Sequence, residues 1–186
     1  MTTTSVVFDL DETLVDRTES INSYLSTLWP QQARVEMELT EFIEAFHRLD
    51  GNGRRPRDPL FQTFATKHLT DLSPDEFRQH FYANVWLEPL LFDGVEEALR
   101  RLCNAHIRIG VVSNGGAVSQ TAKITSSGSA WFVGDDPLCD VVGPHKVGFR
   151  TAWLEKRQPW PQDLPCCYTM KCLSVEEFVI DLLGPS

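Results

Sequence analysis

Apolar residues recur along the chain with two different rhythms. From Val15 to Pro89 they fall three and four positions apart: Ile21, Tyr24, Leu25 and Leu28; Phe42, Ile43, Phe46 and Leu49; Phe61, Phe64 and Leu69; Phe77, Phe81 and Val85. That spacing gathers each set on one face of a helix. Gly51-Asn52-Gly53 breaks the run, and Arg54, Arg55 and Arg57 follow it. Ser73-Pro74-Asp75-Glu76 reads as a helix start, with Ser73 as N-cap, Pro74 at the first helical position and Glu76 completing a capping box. The stretch predicts an all-helical insert of four or five helices.

Outside that stretch, short apolar runs alternate with amphipathic ones. Val6-Val7-Phe8 is too short for a helix and reads as a buried strand ending at Asp9. Gly94 to Cys103 is a helix with Val95, Ala98, Leu99 and Leu102 on one face. Ile107, Ile109, Val111 and Val112 form a strand, Ala130–Val133 a third and Thr151–Leu154 a fourth. Cys166–Met170 is the candidate fifth. Trp153 to Pro165 carries three prolines and reads as a loop; Val175 to Leu183 is a closing helix stopped by Gly184-Pro185. Strands separated by helices imply an α/β fold with a parallel sheet and helices on its faces. No internal repeat or low-complexity tract interrupts it.

Three of the predicted strands end in polar clusters: Asp9-Leu10-Asp11-Glu12-Thr13, Ser113-Asn114-Gly115-Gly116, and Gly134-Asp135-Asp136 with Asp140 shortly after. Parallel α/β sheets bind ligands beyond the carboxyl ends of their strands, so the clusters converge on one edge. Asp9 and Asp135 offer hard carboxylate oxygens to Mg²⁺. Asp9, kept ionised beside a cation, suits a nucleophile that forms an aspartyl-phosphate. Asp11 can protonate a leaving oxygen and then activate water. The Ser113 hydroxyl and the Asn114 and Gly115 amides near a helix start suit a phosphate. Asp140 is placed to hold a metal-bound water. Taken singly, Asp135 or Asp136 reads equally as a helix N-cap, and Ser113-Asn114-Gly115 as a turn; their joint order at strand ends favours a site.

The 186 residues include 17 basic and 26 acidic side chains, a net charge of −9. An acidic chain without a basic run is a poor nucleic-acid binder. No apolar stretch approaches the ~18 residues of a membrane span, and Met1-Thr2-Thr3-Thr4-Ser5 lacks the features of a signal peptide. A soluble, cytoplasmic protein is expected. Its cysteines, Cys103, Cys139, Cys166, Cys167 and Cys172, show no CxxC spacing and read as free buried thiols. A zinc site from Cys166, Cys167 and Cys172 is disfavoured, because the adjacent pair suits tetrahedral ligation poorly.

Phe8-Asp9-Leu10-Asp11-Glu12-Thr13-Leu14, Val112-Ser113-Asn114-Gly115, and Val133-Gly134-Asp135-Asp136-Pro137 with Asp140 resemble motifs I, II and IV of the haloacid dehalogenase (HAD) superfamily. The resemblance covers almost the whole chain, and Gly143 to Leu154 is similar to the segment after motif IV. It implies a Rossmann-like three-layer core over residues 1–14 and 90–186, with a C1-type helical cap over 15–89. By match, Asp9 is nucleophile and Mg²⁺ ligand, Asp11 the acid/base and a backbone-carbonyl ligand, Ser113 the phosphate binder and Asp135 a metal ligand. Asp11 favours phosphoester hydrolysis, since dehalogenase members lack an acid there.

One motif is missing. The family's motif III lysine, usually followed by proline, steadies the nucleophile and the phosphate. No Lys-Pro occurs, and the interval from Ser113 to Asp135 is short by roughly one βα unit, which takes on the order of 30 residues. Lys123 is the only lysine in that interval and is the candidate substitute; otherwise it is a surface residue. In the family's strand order the lost strand is an edge, which leaves Ile107–Val112 exposed. The expectation is a Mg²⁺-dependent phosphatase of a small phosphorylated metabolite, weakened by the missing lysine. An inactive HAD-like binding protein is the alternative, and a 2-haloacid dehalogenase is third. A receiver-like phospho-acceptor would need no helical cap. Arg54, Arg55 and Arg57 form a solvated loop or meet a second anionic group. The substrate's identity and the oligomeric state stay open.

Overall fold

The β-rich runs form one sheet in which every pairing is parallel. A computed structural model describes residues 5–34, 37–112, 130–146, 148–156, 159–165 and 167–184. Strands β1 (Ser5–Phe8), β2 (Arg108–Val111), β3 (Ala130–Gly134), β4 (Arg150–Leu154) and β5 (Met170–Cys172) lie in the order β2-β1-β3-β4-β5. β1 pairs on both sides, Ser5 with Arg108 and Ala130, Phe8 with Val111 and Val133. Its apolar run, without polar alternation, fits a strand covered on both faces. Among the described strands β2 lies at the edge, with Arg108 and Val111 exposed.

Alternation sorts the side chains. Val6, Phe8, Trp131, Val133, Ala152 and Leu154 face one way, against Val95, Ala98 and Leu102 of one helix and Val175, Phe178 and Val179 of the closing helix. Phe178 meets Phe8 and Trp131 edge-on, with centroids 6.2 and 5.4 Å apart. Val7, Phe132 and Phe149 form a smaller cluster on the other face.

The fifth strand lies further along than the sequence suggests: Met170–Cys172, not Cys166–Met170. Thr169 N–H donates to the Thr151 carbonyl at 2.8 Å and sets the register, so that Ala152 faces Met170 and Leu154 faces Cys172. Cys172 then enters the core. Cys166 lies outside the described residues.

The cysteines also need correcting. Cys103 and Cys139 are exposed, Cys167 is half-buried, and only Cys172 is buried among those described. Burial, aided by Glu177 and Asp181, pushes the Cys172 thiol up to about 12, so it behaves as a small hydrophobe. No described helix is long and apolar enough to cross a membrane.

The chain divides into two compact units, Met1–Asp16 with Leu91–Ser186, and Arg17–Leu90. The second is helical: α1 (Arg17–Gln32), α2 (Leu39–Asp50), α3 (Arg57–His68) and α4 (Pro74–Asn84). Its core is aromatic. Phe46 stacks on Phe81 at 5.6 Å and meets Phe64 edge-on at 5.2 Å, with Phe42, Phe61 and Phe77 fully buried around them. The capping box at Ser73 forms, both hydrogen bonds present.

Among the described residues of this unit Arg17, Ser20 and Asp50 are buried polar groups, and Asp50 is the hub of a charged network. Asp50 Oδ1 accepts from Arg17 Nη2 at 2.9 Å and Arg57 Nη1 at 2.6 Å, and Oδ2 accepts from Gly53 N–H at 2.8 Å. Burial alone would push the Asp50 carboxyl up. The hydrogen bond and charge of Arg17, the charge of Arg57 and the Gly53 N–H outweigh it and hold the group below the usual carboxylate range. Arg57 is thus no solvated loop residue: it belongs to this network. Arg54 and Arg55 are exposed, and Arg55 donates to the Arg48 carbonyl.

Candidate functional site

The site lies at the carboxyl ends of β1 and β3. Asp9 follows β1 directly, and its N–H continues the ladder to the Val133 carbonyl at 2.9 Å. The chain then turns sharply, with the N–H groups of Thr13, Leu14 and Val15 all directed at the Leu10 carbonyl. Glu12 takes a left-handed conformation to close the turn (φ 62°). Asp9 is thereby buried at the floor, and Asp11 stands half-buried on the turn.

β3 ends at Gly134. The next carboxylates divide their labour. Asp136 caps the following π-helical turn (Pro137–Val142), its Oδ1 accepting from the N–H groups of Leu138 and Cys139 at 2.9 Å each. That leaves Asp135 out of the capping role. Asp140 is buried, and its Oδ2 accepts from Asp136 N–H at 2.8 Å. It occupies the space beside Gly134, where a Cβ would stand 2.3 Å from Asp140 Oδ2. Only glycine allows this approach.

Ligand atoms of Asp9, Asp135 and Asp140 come within 4.8 Å of one another. Among the described residues this cluster contains carboxylates alone, without cysteine. Asp11 is outside the triad but close enough for its charge to act on Asp9. Ser113, Asn114, Gly115 and Lys123 lie outside the described residues. Of the two candidate caps, Asp136 is the one that acts as one; the role of Gly134 escapes a sequence reading, though a glycine directly before a strand-end carboxylate is a usable signal for close approach.

The electrostatics of the triad are one-sided. Burial raises the Asp9 carboxyl to about 6, reinforced by Asp11 and Asp136 and partly opposed by the Leu10 backbone and the Thr13 hydroxyl. Burial raises Asp135 to about 7, with Asp9, Glu12 and Asp136 adding to it. Asp140 lies well above its ordinary value, first through burial and then through Asp9. Among the described residues, no basic side chain is one of these causes. Three hard oxygen donors, desolvated and mutually repelling, suit a small divalent cation such as Mg²⁺, which would restore all three to the ionised state.

A pH dependence follows. Each group binds its proton more tightly folded than unfolded, so its stabilising contribution is full below about pH 4 and lost as pH rises through about 6 to 7 and beyond. The metal-free protein is expected to melt at a lower temperature at about pH 8 than at about pH 5. Saturating Mg²⁺ at the higher pH should recover stability, by about 2.7 kcal/mol at a hundredfold excess over Kd. Thermal melts of the wild type and of an Asp9→Asn/Asp135→Asn variant check this. The variant should lose the Mg²⁺ response, and an equal response in both would place the cation elsewhere.

Comparison with known proteins bears on the family and the fold. A family model described as haloacid dehalogenase-like hydrolase matches residues 3–155. No curated protein matches the chain in sequence. Among solved structures, the HAD-hydrolase YfnB from Bacillus subtilis, bound to magnesium, is 15% identical with a TM-score of 0.61, covering 100% of both chains. A HAD phosphatase from Thermococcus onnurineus is 18% identical with a TM-score of 0.57, covering 97% of this chain and 98% of its own. The defluorinating L-2-haloacid dehalogenase Rha0230 is 14% identical with a TM-score of 0.67, covering 96% and 94%. At such identities the likeness shows the fold.

Proposed function

The chain belongs to the haloacid dehalogenase-like hydrolases, and from that premise we propose that it is a Mg²⁺-dependent phosphatase of a small phosphorylated metabolite. The observation that carries this reading is the gathering of Asp9, Asp135 and Asp140 with Asp11 on the turn beside Asp9. An Asp9 carboxylate oxygen attacks phosphorus, and the bond to the leaving oxygen breaks. Asp11 gives that oxygen its proton. Water then attacks the aspartyl-phosphate, Asp11 takes the water's proton, and Asp9 is released with free phosphate. Asp9, Asp135 and Asp140 would hold Mg²⁺, which when bound supplies positive charge against the carboxylates and the phosphate. By resemblance, Ser113, Asn114 and Gly115 bind the phosphate, and the helical unit Arg17–Leu90 is the family's cap. The reading needs no nucleic-acid or membrane partner and fits a cytoplasmic protein.

The phosphate dianion meets a site whose described neighbours are acidic, and no motif III lysine follows motif II. Slow turnover is therefore part of the proposal. Dehalogenation is the second reading, favoured by the dehalogenases among the similar structures. Asp11 argues against it, because displacing halide from carbon needs no acid at a leaving oxygen. The test is phosphate release from para-nitrophenyl phosphate with and without Mg²⁺, beside chloride release from 2-chloropropionate. Mg²⁺-dependent phosphate release alone supports the phosphatase. Chloride release without phosphate release would establish the dehalogenase, and neither would leave a binding protein.

A further inference from the structure

Alternation along β3 sends Trp131 and Val133 to the larger core, and Phe132 and Gly134 to the opposite face. β4 follows the same rule: Ala152 and Leu154 join the larger core, so Trp153 lies on the opposite face, paired in register with Gly134. Two groups meet the carboxylate turn there. Asp140 fills the space that Gly134 leaves open. Trp153, 1% exposed, donates from Nε1 to the Asp135 main-chain carbonyl at 3.1 Å. The indole cannot swing away. Trp160 packs edge-on against it at 5.2 Å, Tyr168 lies at 5.7 Å, and the Lys171 ammonium stands 5.3 Å from its centroid.

A buried indole N–H needs an acceptor, and its choice of acceptor sets where that acceptor sits. Here the acceptor belongs to a residue whose carboxylate is one of the converging three. We propose that Trp153 is a positioning residue for the cation site: its N–H fixes the Asp135 peptide, and so holds the Asp135–Asp140 turn in the shape that receives Mg²⁺. The inference rests on the magnesium reading above. Groups that orient a metal ligand in this way typically affect affinity 10- to 100-fold when removed.

Trp153→Phe keeps an aromatic ring in the cluster and removes only the N–H donor. Calorimetric titration of the full chain with MgCl₂ should give a Kd for Trp153→Phe at least about tenfold weaker than wild type. Trp160→Phe alters the same aromatic cluster without touching the bond to Asp135, and should bind Mg²⁺ like wild type. A purely packing role for Trp153 would predict similar losses in both. A second measurement needs no variant to fold. Of the five tryptophans, one indole N–H resonance of the ¹⁵N-labelled wild type should shift on Mg²⁺ titration, and it should be that of Trp153. Wild-type binding with an unchanged Trp153→Phe affinity, or with an unmoved Trp153 resonance, overturns the proposal alone. A wild type that binds no Mg²⁺ overturns the reading on which it rests, and the proposal with it.

Discussion

Asp9→Asn is expected to lower Mg²⁺-dependent phosphate release by about a thousandfold or more, the scale on which losing a covalent nucleophile acts. An amide oxygen does not form the acyl-phosphate, and it adds no negative charge to the cation site. The same substitution should leave the metal-free fold at least as stable near neutral pH. Asp9 is buried and its carboxyl is raised to about 6, so ionising it there opposes folding. An amide in its place removes that opposition and the repulsion it exerts on Asp135 and Asp140. Loss of turnover with retained melting temperature would separate a chemical role from a structural one. Turnover above roughly a hundredth of wild type in the purified variant would remove Asp9 from the nucleophile's place.

The parts of this structure that a reader of the sequence can see are those set by local chemistry. The helical faces of Phe42/Phe46 and Phe77/Phe81 follow from spacing alone, and so does the capping box from Ser73 to Glu76. β1 is legible because a strand covered on both faces must be apolar throughout. The carboxylates at strand ends are legible as residue types. What each one does is not. Asp135 and Asp136 are equivalent on paper, and only the folded chain shows Asp136 taking the Leu138 and Cys139 N–H groups. β5 is displaced because its register depends on Thr169 meeting Thr151, a tertiary contact with no local signature. Arg57 reads as one of three loop arginines until Asp50, seven residues earlier, is found buried beneath it. Trp153 falls where the predicted strand Thr151–Leu154 and the predicted loop Trp153 to Pro165 overlap, and its bond to Asp135 needs the sheet order to bring β4 beside β3.

Asp50→Ala is the substitution expected to cost most in stability, about 3–5 kcal/mol. Asp50 has no exposed side-chain surface, and Arg17 has very little. Truncating the carboxylate takes a full negative charge from two guanidinium groups and an acceptor from the Gly53 N–H. Arg57, about a third exposed, can turn to water, whereas Arg17 is held at the start of α1. The turn itself depends on this anchor. Gly51, Asn52 and Gly53 all take left-handed backbone, with φ of 57°, 55° and 75°, and the Gly53 N–H bond to Asp50 closes it. Asp50→Asn keeps an acceptor oxygen and the shape, so it should cost less than Asp50→Ala. The remainder measures what the charge contributes. Acid should mimic the loss in the wild type: the Asp50 carboxyl is held below its ordinary value, so its stabilisation is present above about pH 4 and fades as pH falls further. Urea unfolding at neutral pH tests the ranking. A loss below about 1 kcal/mol for Asp50→Ala would mean that water replaces the carboxylate without strain, and that this network does not hold the turn.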